Sequence, residues 1–177
     1  DPHFIDQAVV NGETYYYGAA AFDFDGNESD LSIDALGVTP RPEGRSVTLF
    51  DFQTSPNRSG YDFSTFSVGP HDDQFTDIFF DYSNGIPYMD VWDDTDIQDM
   101  GYTRTLDEIR SAPDGGWTPT KDVRLIVGHT YVVWTWDSHF AKFRVVSVSP
   151  QRAVFDWAYQ LMEGNPFLKR GTKPQGE

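Results

Sequence analysis

Residues 128–160 read GHTYVVWTWDSHFAKFRVVSVSPQRAVFDWAYQ, and their alternation decides the fold. From residue 153, Phe155, Trp157, Tyr159 and Leu161 point one way while Val154, Asp156, Ala158 and Gln160 point the other. A period of two is the mark of a half-buried β-strand. Trp134 and Trp136 share one face of an earlier run, with Tyr131 and Val133 on the other. The pattern predicts strands over 123–127, 130–136, 139–148 and 153–161, broken by the turns Asp137-Ser138 and Ser149-Pro150-Gln151. Such a series makes an antiparallel meander of three to four strands.

Upstream the same period continues. Residues 76–82 and 86–92 flank Ser83-Asn84-Gly85, and Asn-Gly between apolar runs is a strong hairpin signal. Residues 46–52 alternate Val47, Leu49 and Asp51 with Thr48, Phe50 and Phe52, and residues 53–60 form a polar loop. One helix is predicted, over 103–112, with Thr105 and Glu108 as a capping box and Pro113 as its stop. Thr39-Pro40-Arg41-Pro42-Glu43-Gly44 reads as a stiff linker, since two prolines one residue apart cannot sit inside a sheet. The expectation is a β-sandwich-like domain over 45–168 with one short helix, followed by a flexible tail over 169–177.

A second feature lies before the linker. Residues 11–29, NGETYYYGAAAFDFDGNES, put Tyr15, Tyr17, Ala19 and Ala21 on one face and supply a turn at 23–27. Leu31, Ile33 and Ala35 then start another alternating run, which predicts a hairpin. Val9, Gly12 and Tyr15 fit V-x-N-G-x-T-Y, and Asp23, Gly26, Asn27, Glu28 and Ser29 fit a closing hairpin. This stretch resembles the last strands of a fibronectin type III domain, in which that tyrosine forms a corner. The likeness covers 1–38 and lacks the first half of the sandwich, so the chain is expected to begin inside a domain by processing or truncation. A hairpin with one apolar face does not hold itself together in water. Phe4, Tyr15 and Tyr17 are therefore expected to meet a covering surface.

The run Gly128-His129-Thr130-Tyr131-Val132, with Phe140-Ala141-Lys142-Phe143 and Phe155-Asp156-Trp157-Ala158-Tyr159-Gln160, resembles a module of bacterial envelope lipoproteins. More remotely it is similar to the β-rich haem-scavenging proteins of Bacteroidetes. Neither likeness brings a catalytic motif. The fibronectin-like stretch alone implies the location: periplasmic, cell-surface or secreted.

Composition narrows the function. Fourteen Phe, nine Tyr and five Trp supply a real core and exclude disorder as the default. Thirteen basic against 28 acidic residues leave a net charge of −15, which opposes nucleic-acid backbones and anionic lipid. The absence of cysteine removes disulfides, thiolate metal sites and Cys nucleophiles. No apolar run approaches the roughly 18 residues of a membrane span.

Four histidines are available for haem or zinc: His3, His71, His129 and His139. With Asp137-Ser138 as a two-residue turn, Trp136 faces His139 and His129 faces Val146. The two histidines then stand roughly 23 Å apart along the sheet, too far to share a metal or a haem face, while pairing with His71 stays open. Acidic residues crowd 23–30 and 93–99. Gly26 is misplaced for an EF-type loop, so Asp93, Asp94, Asp96 and Asp99 are the calcium candidates. Carboxylate pairs such as Asp90 and Asp93 fit a glycosidase in principle, but no hydrolase elbow, phosphate loop, zinc-protease or dinucleotide motif occurs. Trp117 follows Asp114-Gly115-Gly116 in a loop setting and is the remaining contact candidate.

These readings converge on a non-enzymatic, extracytoplasmic accessory subunit that docks on a larger envelope assembly through protein–protein contacts. No cofactor is expected apart from calcium as a candidate. The alternative is a surface module for carbohydrate or another ligand, haem included.

Overall fold

The computed structural model describes Asp6, residues 8–32 and residues 36–168. Phe4, His3, Ile33, Ala35 and the tail 169–177 lie outside the described residues. The chain divides into two compact units, one holding the described residues up to Arg41, the other running Pro42–Leu168. Among the described residues no helix is long and apolar enough to cross a membrane.

The first unit is a hairpin. Strands β1 (Tyr15–Tyr17) and β2 (Leu36–Val38) pair antiparallel, Tyr15 opposite Val38 and Tyr16 opposite Gly37. Beyond them the ladder becomes irregular, because serine hydroxyls replace backbone acceptors. Ser32 Oγ accepts Ala19 N–H at 3.2 Å, and Ser29 Oγ accepts Ala21 N–H at 2.9 Å. The tip is tied by Asp23, whose carboxylate accepts Asp25 N–H, Asn27 N–H and Asn27 Nδ2, the last two at 2.8 Å. Those bonds, led by the Asn27 side chain, hold its carboxyl below the usual aspartate range. Tyr15 Oη accepts Val10 N–H at 2.9 Å, and Tyr17 Oη donates to Asp6 Oδ2 at 2.9 Å.

The second unit is mostly β and sandwich-like, with two five-stranded antiparallel sheets. In the first, β3 (Glu43–Phe50), β12 (Arg152–Tyr159), β11 (Phe140–Ser149), β10 (His129–Trp134) and β8 (Asp96–Tyr102) lie in that order. In the second the order is β5 (Ser67–Gly69), β4 (Gly60–Asp62), β6 (Ile78–Ser83), β7 (Ile86–Asp90) and β9 (Asp122–Arg124). Leu49, Tyr131, Phe143, Phe155 and Trp157 of the first sheet meet Tyr61, Ile78, Phe80 and Met89 of the second in one buried core. As the alternation requires, Phe155, Trp157 and Tyr159 are buried, whereas Leu161 lies past the strand end and is exposed.

The meander has three strands, β10–β11–β12. Residues 123–127, expected as its first member, give β9 instead, which joins β7 in the opposite sheet. Tyr131 ties this crossing: its hydroxyl donates to Arg124 O at 2.8 Å and accepts Ile126 N–H at 2.9 Å.

The β10–β11 register is one residue from the expected one, with Trp134 opposite Phe140 and Thr130 opposite Arg144. The loop holds three residues rather than two, and Ser138 takes φ 66° as such loops require. Thr135 Oγ1 fixes it, accepting His139 N–H at 3.0 Å and donating to Asp137 Oδ1 at 2.5 Å. Strand β3 begins at Glu43, two residues inside the span expected to be linker. The β6–β7 hairpin turns at Asn84 (φ 53°) and Gly85 (φ 82°) as a two-residue loop.

The short helix is a single 3-10 turn, Leu106–Glu108. Glu108 Oε1 accepts Thr105 N–H at 3.1 Å, so the capping arrangement forms. The helix stops there because Lys142 Nζ, on a fully buried side chain, takes the Leu106 and Ile109 carbonyls, each at 2.7 Å. Ile109 is extended. Continuation of the helix would need the Leu106 carbonyl for the N–H four residues on.

Candidate functional site

On the outer face of the second sheet, register places chemistry in rows. Phe79 of β6 stands opposite Asp90 of β7, which stands opposite Asp122 of β9. The next row is Asp81, Tyr88 and Arg124. Ile78 and Phe80 point to the core between them, as a period of two demands.

Loops raise walls around this face. Trp92, just past β7, packs on Phe79 with ring centroids 5.2 Å apart and donates Nε1–H to His71 O at 2.8 Å. His71 lies 5.6 Å from Phe79 and 5.0 Å from Phe52. The result is an open cleft of about 410 Å³ whose lining includes Phe79, Asp81, Tyr88, Asp90, Trp92 and Asp122, together with Lys121. Phe79 and Asp81 are almost fully buried, and Trp92 keeps 43% of its surface exposed.

Electrostatically the cleft is mostly acidic, with Asp81, Asp90 and Asp122 against Lys121. Asp81 accepts hydrogen bonds from Gln53 Nε2 at 3.1 Å and from Ser83 Oγ. The carboxylates of Asp90 and Asp122 make no hydrogen bond or ion pair among the described residues. Burial, then the charges of Asp81 and Asp122, push the Asp90 carboxyl up to about 7. Lys121 does not answer them: its ammonium donates to Asp93 O at 3.0 Å, Thr95 O at 2.9 Å and Asp96 Oδ1 at 2.9 Å.

Elsewhere in the unit, Asp77 is 1% exposed and accepts Phe63 N–H at 2.8 Å. Burial raises it to about 8, with Asp62 and Asp137 adding to the shift.

The calcium candidates are not brought together. Strand β8 starts at Asp96, so Asp96 and Asp99 lie on opposite faces of an extended segment. Asp96 is paired with Lys121, and Asp99 meets His129 Nδ1 at 3.0 Å. Asp93 and Asp94 are exposed in the preceding turn. Among the described residues no three His, Asp or Glu side chains converge as a metal requires. His71 sits in the aromatic wall, His129 against Asp99, and His139 against Asp137.

Of the contact candidates, Tyr15 and Tyr17 are half-buried, while Tyr16 between them is 59% exposed. Trp117 is half-buried on a second apolar cluster of Ala112, Val132, Phe140 and Leu168, its ring stacked 6.4 Å from Phe140. A role at an interface would use only its remaining exposed edge.

Sequence reasoning passed over the cleft. Asn84-Gly85 as a two-residue loop already sets Phe79 opposite Asp90 and Asp81 opposite Tyr88. Asp122 arrives by a non-local pairing that no nearby residue announces. None of the protein-family models, curated proteins or solved structures compared with this chain matches it.

Proposed function

We propose that the chain is a non-enzymatic, extracytoplasmic accessory subunit that docks on a larger envelope assembly through its first unit. The observation that supports this is how little of the unit is buried: among its residues whose burial is described, only Gly37 is. Val10, Tyr16, Phe22, Phe24 and Leu31 are all exposed, Phe24 completely. Apolar side chains gathered on one small hairpin mark an interaction site more often than a solvated surface.

The test is site-specific photo-crosslinking in the source cells, with the probe at Tyr16 or Phe24 and a control probe at the exposed Tyr102 of β8. One discrete adduct from the hairpin positions and none from Tyr102 is the expected result. Equal or absent crosslinking at all three overturns docking through this face.

A second function, a surface module for carbohydrate or another ligand, is favoured by the walled cleft on the second sheet.

A further inference from the structure

We propose that the cleft of β6, β7 and β9 is a binding site for a primary alkylammonium group, its cation held by Asp90 and Asp122 and its carbon stem laid along Phe79, Tyr88 and Trp92. This develops the ligand-binding function and is independent of docking by the hairpin.

The placement of the two carboxylates is the first observation. Like charges directly opposite in a ladder are destabilising, yet Asp90 and Asp122 are register partners, with Asp81 on the neighbouring strand of the same face. Among the described residues no ammonium or guanidinium pairs with them. Lys121 is committed to Asp96 and two carbonyls. Arg124 stands a row away, opposite Tyr88, and makes no ion pair with them among the described residues.

The wall is the second. Aromatic faces attract a cation held within about 6 Å of the ring, and they cover methylenes as well. A volume of about 410 Å³ lies within the range of small-molecule sites, large for a bare ion and suited to an amine with several carbons. A neutral sugar would desolvate both carboxylates without supplying countercharge. The raised pKa of Asp90, beside its register partner Asp122, fits a site that holds a proton when no other cation is there.

Alkylammonium groups come from free polyamines or from lysine side chains, and the test separates the two. Calorimetric titrations of the full chain at pH 8 would use cadaverine, spermidine, a blocked lysine-containing peptide and a neutral oligosaccharide. Saturable binding of at least one amine probe is expected, weakened at least tenfold in Asp90→Asn/Asp122→Asn and again in Trp92→Ala. Diamines binding better than the peptide assigns a free amine; the reverse assigns a lysine side chain. The Asn pair removes half-buried like charge, so it is expected to fold, and a thermal unfolding curve checks this. No amine binding, amine binding unchanged in the Asn pair, or binding of the oligosaccharide alone overturns the proposal.

Discussion

Gly44 of β3 lies against the indole of Trp157 in β12: a Cβ added at residue 44 would stand 2.3 Å from Nε1 and 2.8 Å from Cε2. The two residues are register partners beside a bulge, and the missing side chain lets the indole cross the neighbouring strand. Gly44→Ala is therefore expected to lower stability by about 1–3 kcal/mol, the usual cost of overpacking. Combining it with Trp157→Phe should cost less than the sum of the single changes, because the two share one volume. Denaturant titration of the four proteins measures the coupling, and strict additivity would contradict it.

Trp157 and Trp117 should separate on truncation. Trp157 is 4% exposed and contacts Tyr61, Phe63 and Phe66. Its change to Ala should cost about 3–5 kcal/mol. Trp117 touches mainly Trp134 and Phe140, and its truncation should cost about half as much. Equal losses in urea titrations would make Trp117 ordinary core.

Lys142 explains why 103–112 is a loop with one 3-10 turn. Lys142→Met keeps the stem but leaves the Leu106 and Ile109 carbonyls without their donor, for an expected loss of about 1–3 kcal/mol. Because the effect is local, amide exchange across 103–112 should quicken well before the β11–β12 ladder is affected. Exchange rising uniformly over the domain would refute the local role.

Acidity gives a signed prediction. Asp77 and Asp90 have folded-state values near 8 and near 7, against about 3.9 in an unfolded chain. Between these limits the unfolded state has lost protons that the folded state keeps, so stability falls as pH rises. Their contribution is complete below about pH 4 and gone above pH 8. Unfolding free energy should drop by about 1 kcal/mol or more from pH 5.5 to 8.5. Asp77→Asn, which keeps an acceptor for Phe63 N–H, should flatten that slope. An unchanged slope in Asp77→Asn and Asp90→Asn together would assign it to the general acidic surface.

The fold was legible where a pattern is local. The alternation of 153–160 gave the buried face of Phe155, Trp157 and Tyr159, and Asn84-Gly85 gave the β6–β7 hairpin. Two kinds of feature were hidden. Side chains that capture backbone groups, Lys142 under 103–112 and Thr135 in the β10–β11 loop, changed a helix and a register that propensity alone favoured. Non-local pairing moved residues 122–124 to the opposite sheet, and Asp122 reached the cleft by that route. The acidic run at 93–99 is divided by local geometry, with Asp93 and Asp94 in a turn and Asp96 and Asp99 on opposite faces of the strand that follows.

The central claim is that the exposed hairpin face is an assembly surface. Its most direct measurement is the mass of the protein when gently released from its source cells, taken by native mass spectrometry beside a Tyr16→Asp/Phe22→Asp variant. The account predicts a wild-type complex containing at least one different polypeptide, and a variant found at the mass of its own chain. Wild-type protein at the mass of its own chain, or a complex that survives both substitutions, would contradict it.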